Sequence, residues 1–122
     1  GEHQSHWTTS TQPLVFDRVI QSFSTDILII GGGISGLTTA YSLARTGRQV
    51  TLVEDGFIGS GESGRTTAHL TCALDDRYYV LEKIFGKEKA TLAANSHMAA
   101  IEWIENTIQI EKIECHFKRV DG

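Results

Sequence analysis

An α/β fold built on a parallel sheet is what this sequence predicts, and three features carry that expectation. Two short apolar runs rich in β-branched residues, Asp26-Ile-Leu-Ile-Ile30 and Gln49-Val-Thr-Leu-Val-Glu54, read as strands. Between them, Leu37, Ala40, Tyr41, Leu43 and Ala44 recur at helical spacing. A glycine cluster, Gly31, Gly32, Gly33 and Gly36, closes the first run. Strand, helix and strand in that order form a βαβ unit, whose two strands run parallel and whose crossover is right-handed.

Each element follows from its local pattern. Gly1 to Ser24 reads as an N-terminal arm: its opening stretch to Gln12 is polar, and it holds the single proline, Pro13. The first strand shows no polar alternation, so both of its faces are expected to be buried. The helix spans Ser35 to Thr46, and Gly47 supplies its C-terminal stop. After Glu54 comes a glycine-rich polar segment, Asp55 to Thr71. Two helical patterns follow, Asp75 to Phe85 and Lys87 to Ile110, with Gly86 between them. Finally Ile113, Cys115 and Phe117 alternate with Glu114, His116 and Lys118, which predicts a strand with one buried face.

Composition narrows the functional classes. Of 122 residues, 40% are hydrophobic and 21% charged, a globular balance that excludes a collagenous or disordered chain. Eleven Lys and Arg against fifteen Asp and Glu leave a net charge of -4, so nothing draws the whole molecule to nucleic acid or anionic membrane. The only cysteines, Cys72 and Cys115, form no C-x-x-C spacing and suit a reducing, cytoplasmic setting. Ile27 to Ala44 is uncharged and contains the pair Gly32 and Gly36 at G-x-x-x-G spacing. Its glycines, together with Ser35, Thr38, Thr39 and Ser42, break the apolar surface that a bilayer requires, so no membrane span is expected.

Gly31-Gly-Gly33-Ile-Ser-Gly36 matches G-x-G-x-x-G, and its place between a strand and a helix is what gives the match weight. In that setting Gly31 permits a tight turn, Gly33 lets backbone approach a pyrophosphate, and Gly36 lets helix and strand pack closely. Ile34 and Ser35 begin the helix, whose free N–H groups and positive dipole end suit an anion. Glu54, ending the second strand, is placed to accept hydrogen bonds from ribose hydroxyls, and Asp55 beside it adds charge that repels a 2′-phosphate. NADP is thereby disfavoured, and FAD and NAD stay open. There is no G-x-x-x-x-G-K-[ST], G-x-S-x-G or H-E-x-x-H motif.

The next segment, Gly59-Ser-Gly-Glu-Ser-Gly64-Arg65-Thr66-Thr67-Ala68-His69, distinguishes the chain further. Together with Asp26 to Glu54, it resembles FAD-dependent oxidoreductases of the D-amino-acid oxidase and glycine oxidase superfamily. Ala-His-Leu-Thr71, Asp75-Asp-Arg-Tyr-Tyr79 and Val-Asp-Gly122 are similar to members that carry a C-terminal Rieske domain. The resemblance implies a Rossmann-like FAD-binding domain, of which residues 25–122 are the N-terminal portion. It implies FAD on Gly31, Gly33, Ile34, Ser35 and Gly36, with the adenosine ribose at Glu54 and Asp55. Arg65, Thr66 and Thr67 would lie near the diphosphate or the isoalloxazine edge. It further implies oxidation of an amine or amino acid, with the substrate domain and a [2Fe-2S] domain following downstream.

No catalytic residue is identifiable here, and the chain alone is expected to be inactive. With two cysteines and no Cys-x-His pair, it cannot itself supply a Rieske site. The competing expectations are an NAD-dependent dehydrogenase domain and a non-catalytic nucleotide-binding module. Ser63 and Thr66 read equally well as site residues or as turn and cap residues. His69 reads as a loop histidine rather than a covalent flavin anchor, while His97, Tyr78 and Tyr79 fall on helices in structural roles. Trp103, Ile104 and Ile108 belong to an apolar helical stripe. Cys115 and His116, adjacent in an expected strand, would point to opposite faces and cannot share a metal.

Overall fold

The computed structural model describes Thr9 and residues 12–120; most of the polar opening of the arm and the closing Asp121 and Gly122 lie outside the described residues. The chain divides into two compact units, Gly1–Thr67 and Ala68–Gly122.

In the first unit, β1 (Ile27–Ile30) and β2 (Val50–Val53) pair in parallel, with Ile27 opposite Val50 and Ile30 opposite Val53. The Ile27 amide donates to the Gln49 carbonyl at 3.2 Å, and the Gly31 amide to the Val53 carbonyl at 2.8 Å, so the ladder runs from the residue before β2 to the residue after β1. Helix α1 (Ile34–Ala44) connects the strands and packs on both, completing the expected βαβ unit. It starts one residue before the expected Ser35 and stops two before Thr46. Gly47 ends it as expected: its φ of +80° is open to glycine without strain, and its amide donates to the Ala44 carbonyl at 2.9 Å.

The burial expected for β1 is corrected by the structure. Ile27 and Ile29 are half-buried, but Leu28 is 50% and Ile30 82% exposed. Ile29 Cγ2 lies 3.5 Å from where a Cβ on Gly36 would stand, so the Ile29 side of the strand is the side that α1 covers. A run without polar residues is compatible with two-sided cover, yet among the described residues only one face has it.

The second unit is a helical pair, α2 (Tyr78–Phe85) and α3 (Lys87–Glu111), packed against each other. Gly86, at φ +85°, is the only residue between them. Helix α2 begins three residues later than the expected Asp75, because Arg77 is extended (φ -60°, ψ 148°) and acts as the N-cap. Ala90 on α3 is the only buried hydrophobic residue among those described. The strand expected over Ile113 to Phe117 does not form. Lys112 and His116 take left-handed backbone, at φ +52° and +53°, and the Cys115 amide turns back to the Ile113 carbonyl at 3.0 Å. Alternation alone cannot make a strand without a partner ladder; this segment instead places Arg119 on Glu105 of α3, with Nε donating at 3.0 Å.

Gly36 is the tightest point of the βαβ unit. A Cβ there would overlap the Gly31 carbonyl oxygen and approach its carbonyl carbon to 3.1 Å. Since the obstacle is backbone, it cannot rotate away. Gly36→Ala should therefore destabilise the first unit by about 1–3 kcal/mol, the usual cost of overpacking. Gly61→Ala, where a Cβ meets nothing within 4 Å, should be near neutral. Denaturant unfolding of the two variants compares them directly.

Candidate functional site

The C-terminal end of β1 is where the site residues converge. Gly31 leaves the strand at φ +106°, a conformation that side chains disfavour, and turns the chain into α1. Gly33 follows as the N-cap of α1, with no side chain of its own to satisfy the helix amides. The first four N–H groups of a helix lack intrahelical acceptors, and here they belong to Gly33, Ile34, Ser35 and Gly36. That of Ile34 donates to Ser63 Oγ at 2.9 Å. Those of Gly33, Ser35 and Gly36 have no acceptor among the described residues. Three amides at the positive end of an eleven-residue helix form a donor set suited to phosphate oxygens.

Glu54 follows β2 and reaches back to this corner. The Gly32 amide donates to its Oε2, and the Gly56 amide to its Oε1 at 3.1 Å. These two bonds, Gly32 first, together with neighbouring Asp55, hold the Glu54 carboxyl below its ordinary value of 4.5. Each carboxylate oxygen has a second lone pair to offer, which is what a ribose diol would need. The remaining expected residues are placed differently. Arg65 ends a 3₁₀ turn, Glu62–Arg65, and its guanidinium pairs with Glu62 at 3.1 Å, on the surface. Thr66 leaves that turn extended, and Thr66 and Thr67 are exposed.

Three residues stand in the site that sequence reasoning left outside it. Gly32 is buried, and a Cβ on it would come to 2.6 Å from Ile58 Cδ1 and 3.1 Å from Glu54 Oε2. Ile58 therefore packs over the turn, and the following Gly59 donates its amide to the Gly32 carbonyl at 3.0 Å. Ser63 Oγ accepts from the first amide of α1 across 29 residues of sequence, which places Ser63 at the corner itself. A clue to Gly32 was available, since glycine occupies a motif position where other residues are allowed. Nothing local marked Ile58, and nothing local joined Ser63 to α1. Elsewhere, His69 lies in a loop and Cys72 and Cys115 are free and exposed. No described helix is long and apolar enough to cross a membrane.

The depressed Glu54 carboxyl ties stability to pH. A group whose folded pKa is lowered stabilises the fold above its unfolded pKa, and that contribution is lost as pH falls through the folded value. Acid titration of the wild-type protein should thus show stability declining from about pH 4.5 downward. In Glu54→Gln that part of the decline should be missing, as read from denaturation midpoints over the same range.

Comparison with known proteins supplies the family. The model for FAD dependent oxidoreductases matches residues 26–122. A putative Rieske 2Fe-2S iron-sulfur protein of Bacillus subtilis, YhfW, is 33% identical over 98% of this chain and 23% of its own length. Gamma-glutamylputrescine oxidoreductase of Escherichia coli is 29% identical over 96% of the chain and 28% of its own length. A probable oxidoreductase of Haemophilus influenzae, OrdL, is 27% identical over 93% and 26% respectively. The chain thus spans roughly a quarter of the length of these relatives. No solved structure gives a significant match. From a βαβ unit with a bare amide corner, and a family match that begins at the first residue before β1, it follows that the chain belongs to the FAD-dependent oxidoreductases.

Proposed function

We propose that this chain forms the opening part of the FAD site in an oxidoreductase that acts on an amine or amino acid. The observation that carries the reading is the set of unaccepted amides at Gly33, Ser35 and Gly36 beside the Glu54 carboxylate. On this assignment the FAD diphosphate lies along Gly31 to Gly36 and draws on those amides. Ile34 contributes backbone shape, since its own N–H is committed to Ser63. Glu54, with Asp55 adjacent, receives the adenosine ribose hydroxyls. Arg65, Thr66 and Thr67 follow along the diphosphate or the flavin edge, which requires Arg65 to leave its exposed pairing with Glu62.

When bound, FAD supplies the hydride acceptor for a carbon bearing an amine, which is left as an imine. The part played by the residues described here is to hold and orient that cofactor. The residues that clamp the substrate are assigned to the rest of the enzyme. An amine substrate is supported by the name of the gamma-glutamylputrescine oxidoreductase relative. A Rieske [2Fe-2S] domain in the complete protein is supported by the similarity to YhfW, which extends over nearly the whole chain. Two unpaired, exposed cysteines accord with a cytoplasmic location.

Purified full-length protein should be yellow with bound flavin, and an amine donor added without oxygen should bleach it. A colourless protein that binds NAD would replace this reading with a dehydrogenase, and flavin that no donor bleaches would point to a non-catalytic module. Gly33→Val should keep the far-ultraviolet spectrum of a folded protein while weakening FAD binding at least about tenfold, a change of ~1.4 kcal/mol. Unchanged affinity in that variant would overturn the placement of the diphosphate.

A further inference from the structure

We infer that Glu54 positions the phosphate-binding turn itself, in addition to any contact it makes with a ribose; this rests on the proposed FAD site and extends it. The peptide units around Gly32 are held from two directions. The Gly32 amide donates to Glu54 Oε2, while its carbonyl accepts from Gly59 at 3.0 Å. The other carboxylate oxygen accepts from Gly56 at 3.1 Å, so one side chain ties the turn after β1 to the turn after β2. Ile58, between the two, packs where a Gly32 side chain would stand.

The consequence for binding follows from geometry. Gly31, at φ +106°, and its glycine neighbours have more backbone freedom than other residues, and without an external constraint the corner would sample many orientations. The Gly33 N–H shares a peptide plane with the Gly32 carbonyl, so with that plane held by Gly59 and the preceding one held by Glu54, the N–H is restricted to the direction that starts α1. A donor corner ordered before the ligand arrives loses less entropy on binding. Glu54 thus acts on the diphosphate through the backbone, at a distance from the phosphates. A glutamine in its place presents one carbonyl oxygen and an amide, so it can accept from only one of the two glycines without placing donor against donor.

The two roles of Glu54 separate with an FAD analogue whose adenosine ribose is 2′,3′-dideoxy. In full-length protein, Glu54→Gln should weaken both FAD and the analogue roughly tenfold, because the ordered turn serves either one. If it weakens FAD but leaves analogue affinity at the wild-type value, Glu54 is a ribose ligand only and the positioning role is wrong. If neither affinity changes, both roles fail. Deuterium uptake in the cofactor-free protein gives a readout independent of FAD. Peptides covering Gly31 to Ile34 and Asp55 to Phe57 should exchange several-fold faster in Glu54→Gln, and unchanged exchange would overturn the inference. Should wild-type protein bind no FAD, the exchange result still decides the clamp, while the proposed function alone is lost. Glu54→Asp, which keeps the charge but is one methylene shorter, should also speed exchange at one of the two peptides, and it serves if the glutamine variant does not fold.

Discussion

The position of a single residue governs the turn after β1: the backbone at Gly32 is fixed through its amide by Glu54 and through its carbonyl by Gly59. Neither partner is a neighbour in sequence, so the turn after β1 is shaped by the turn after β2. Parallel pairing is what makes this possible. It brings the C-terminal ends of both strands to the same edge, with Ile30 opposite Val53, and the chain leaves both within reach of one glutamate side chain. An antiparallel pair would have put the two turns at opposite ends. The glycines then answer different needs. Gly31 supplies a positive φ, Gly32 leaves room for Ile58 and the carboxylate, and Gly36 leaves room for the Gly31 carbonyl.

Order at this corner does not come from a large core. A two-stranded sheet is marginal by itself in water and depends on what packs against it. Here α1 covers the Ile29 side, while Leu28 and Ile30 remain largely exposed on the other. The polar links at the turn fix a local geometry that apolar cover alone would leave loose. They suit that task because a hydrogen bond specifies direction, whereas burial of apolar area does not.

The parts of the fold that sequence revealed are those governed by local pattern. Helical spacing from Leu37 to Ala44, the β-branched runs and the stops at Gly47 and Gly86 all act over a few residues, and the elements fall within a few residues of their expected bounds. The failures required partners that a local pattern cannot show. Ile113 to Phe117 alternates as a strand would, but among the described residues no ladder pairs with it, and the backbone turns at His116 instead. The two-sided burial expected of β1 likewise assumed a second covering layer. In the site, Gly31 and Glu54 could be chosen from the motif, because its spacing encodes the βαβ geometry. Ser63 and Ile58 could not: their roles arise from contacts across more than twenty residues, in a glycine-rich segment without period. Arg65 shows the reverse difficulty, since its charge suggested an anion and the structure pairs it with Glu62, three residues before it.

A carboxylate beside a corner proposed to bind phosphate poses an electrostatic problem, and the hydrogen bonds of Glu54 indicate how it is resolved. Two like charges in one cleft would raise the cost of ionising either. Glu54 stays ionised because the amides of Gly32 and Gly56 place positive hydrogens on its two oxygens, which is why its carboxyl sits below the ordinary range. Its charge is thus partly absorbed by backbone before any ligand approaches. The amides of Gly33, Ser35 and Gly36 at the start of α1 have no acceptor among the described residues, so on the proposed assignment donors for the diphosphate and an acceptor for neutral hydroxyls belong to one corner. A further phosphate on the ribose would face Glu54 and Asp55 together, with backbone donors already committed to the former. In the proposed site the arrangement would favour a dinucleotide whose ribose carries bare hydroxyls, with a single carboxylate serving both as acceptor and as the inferred brace.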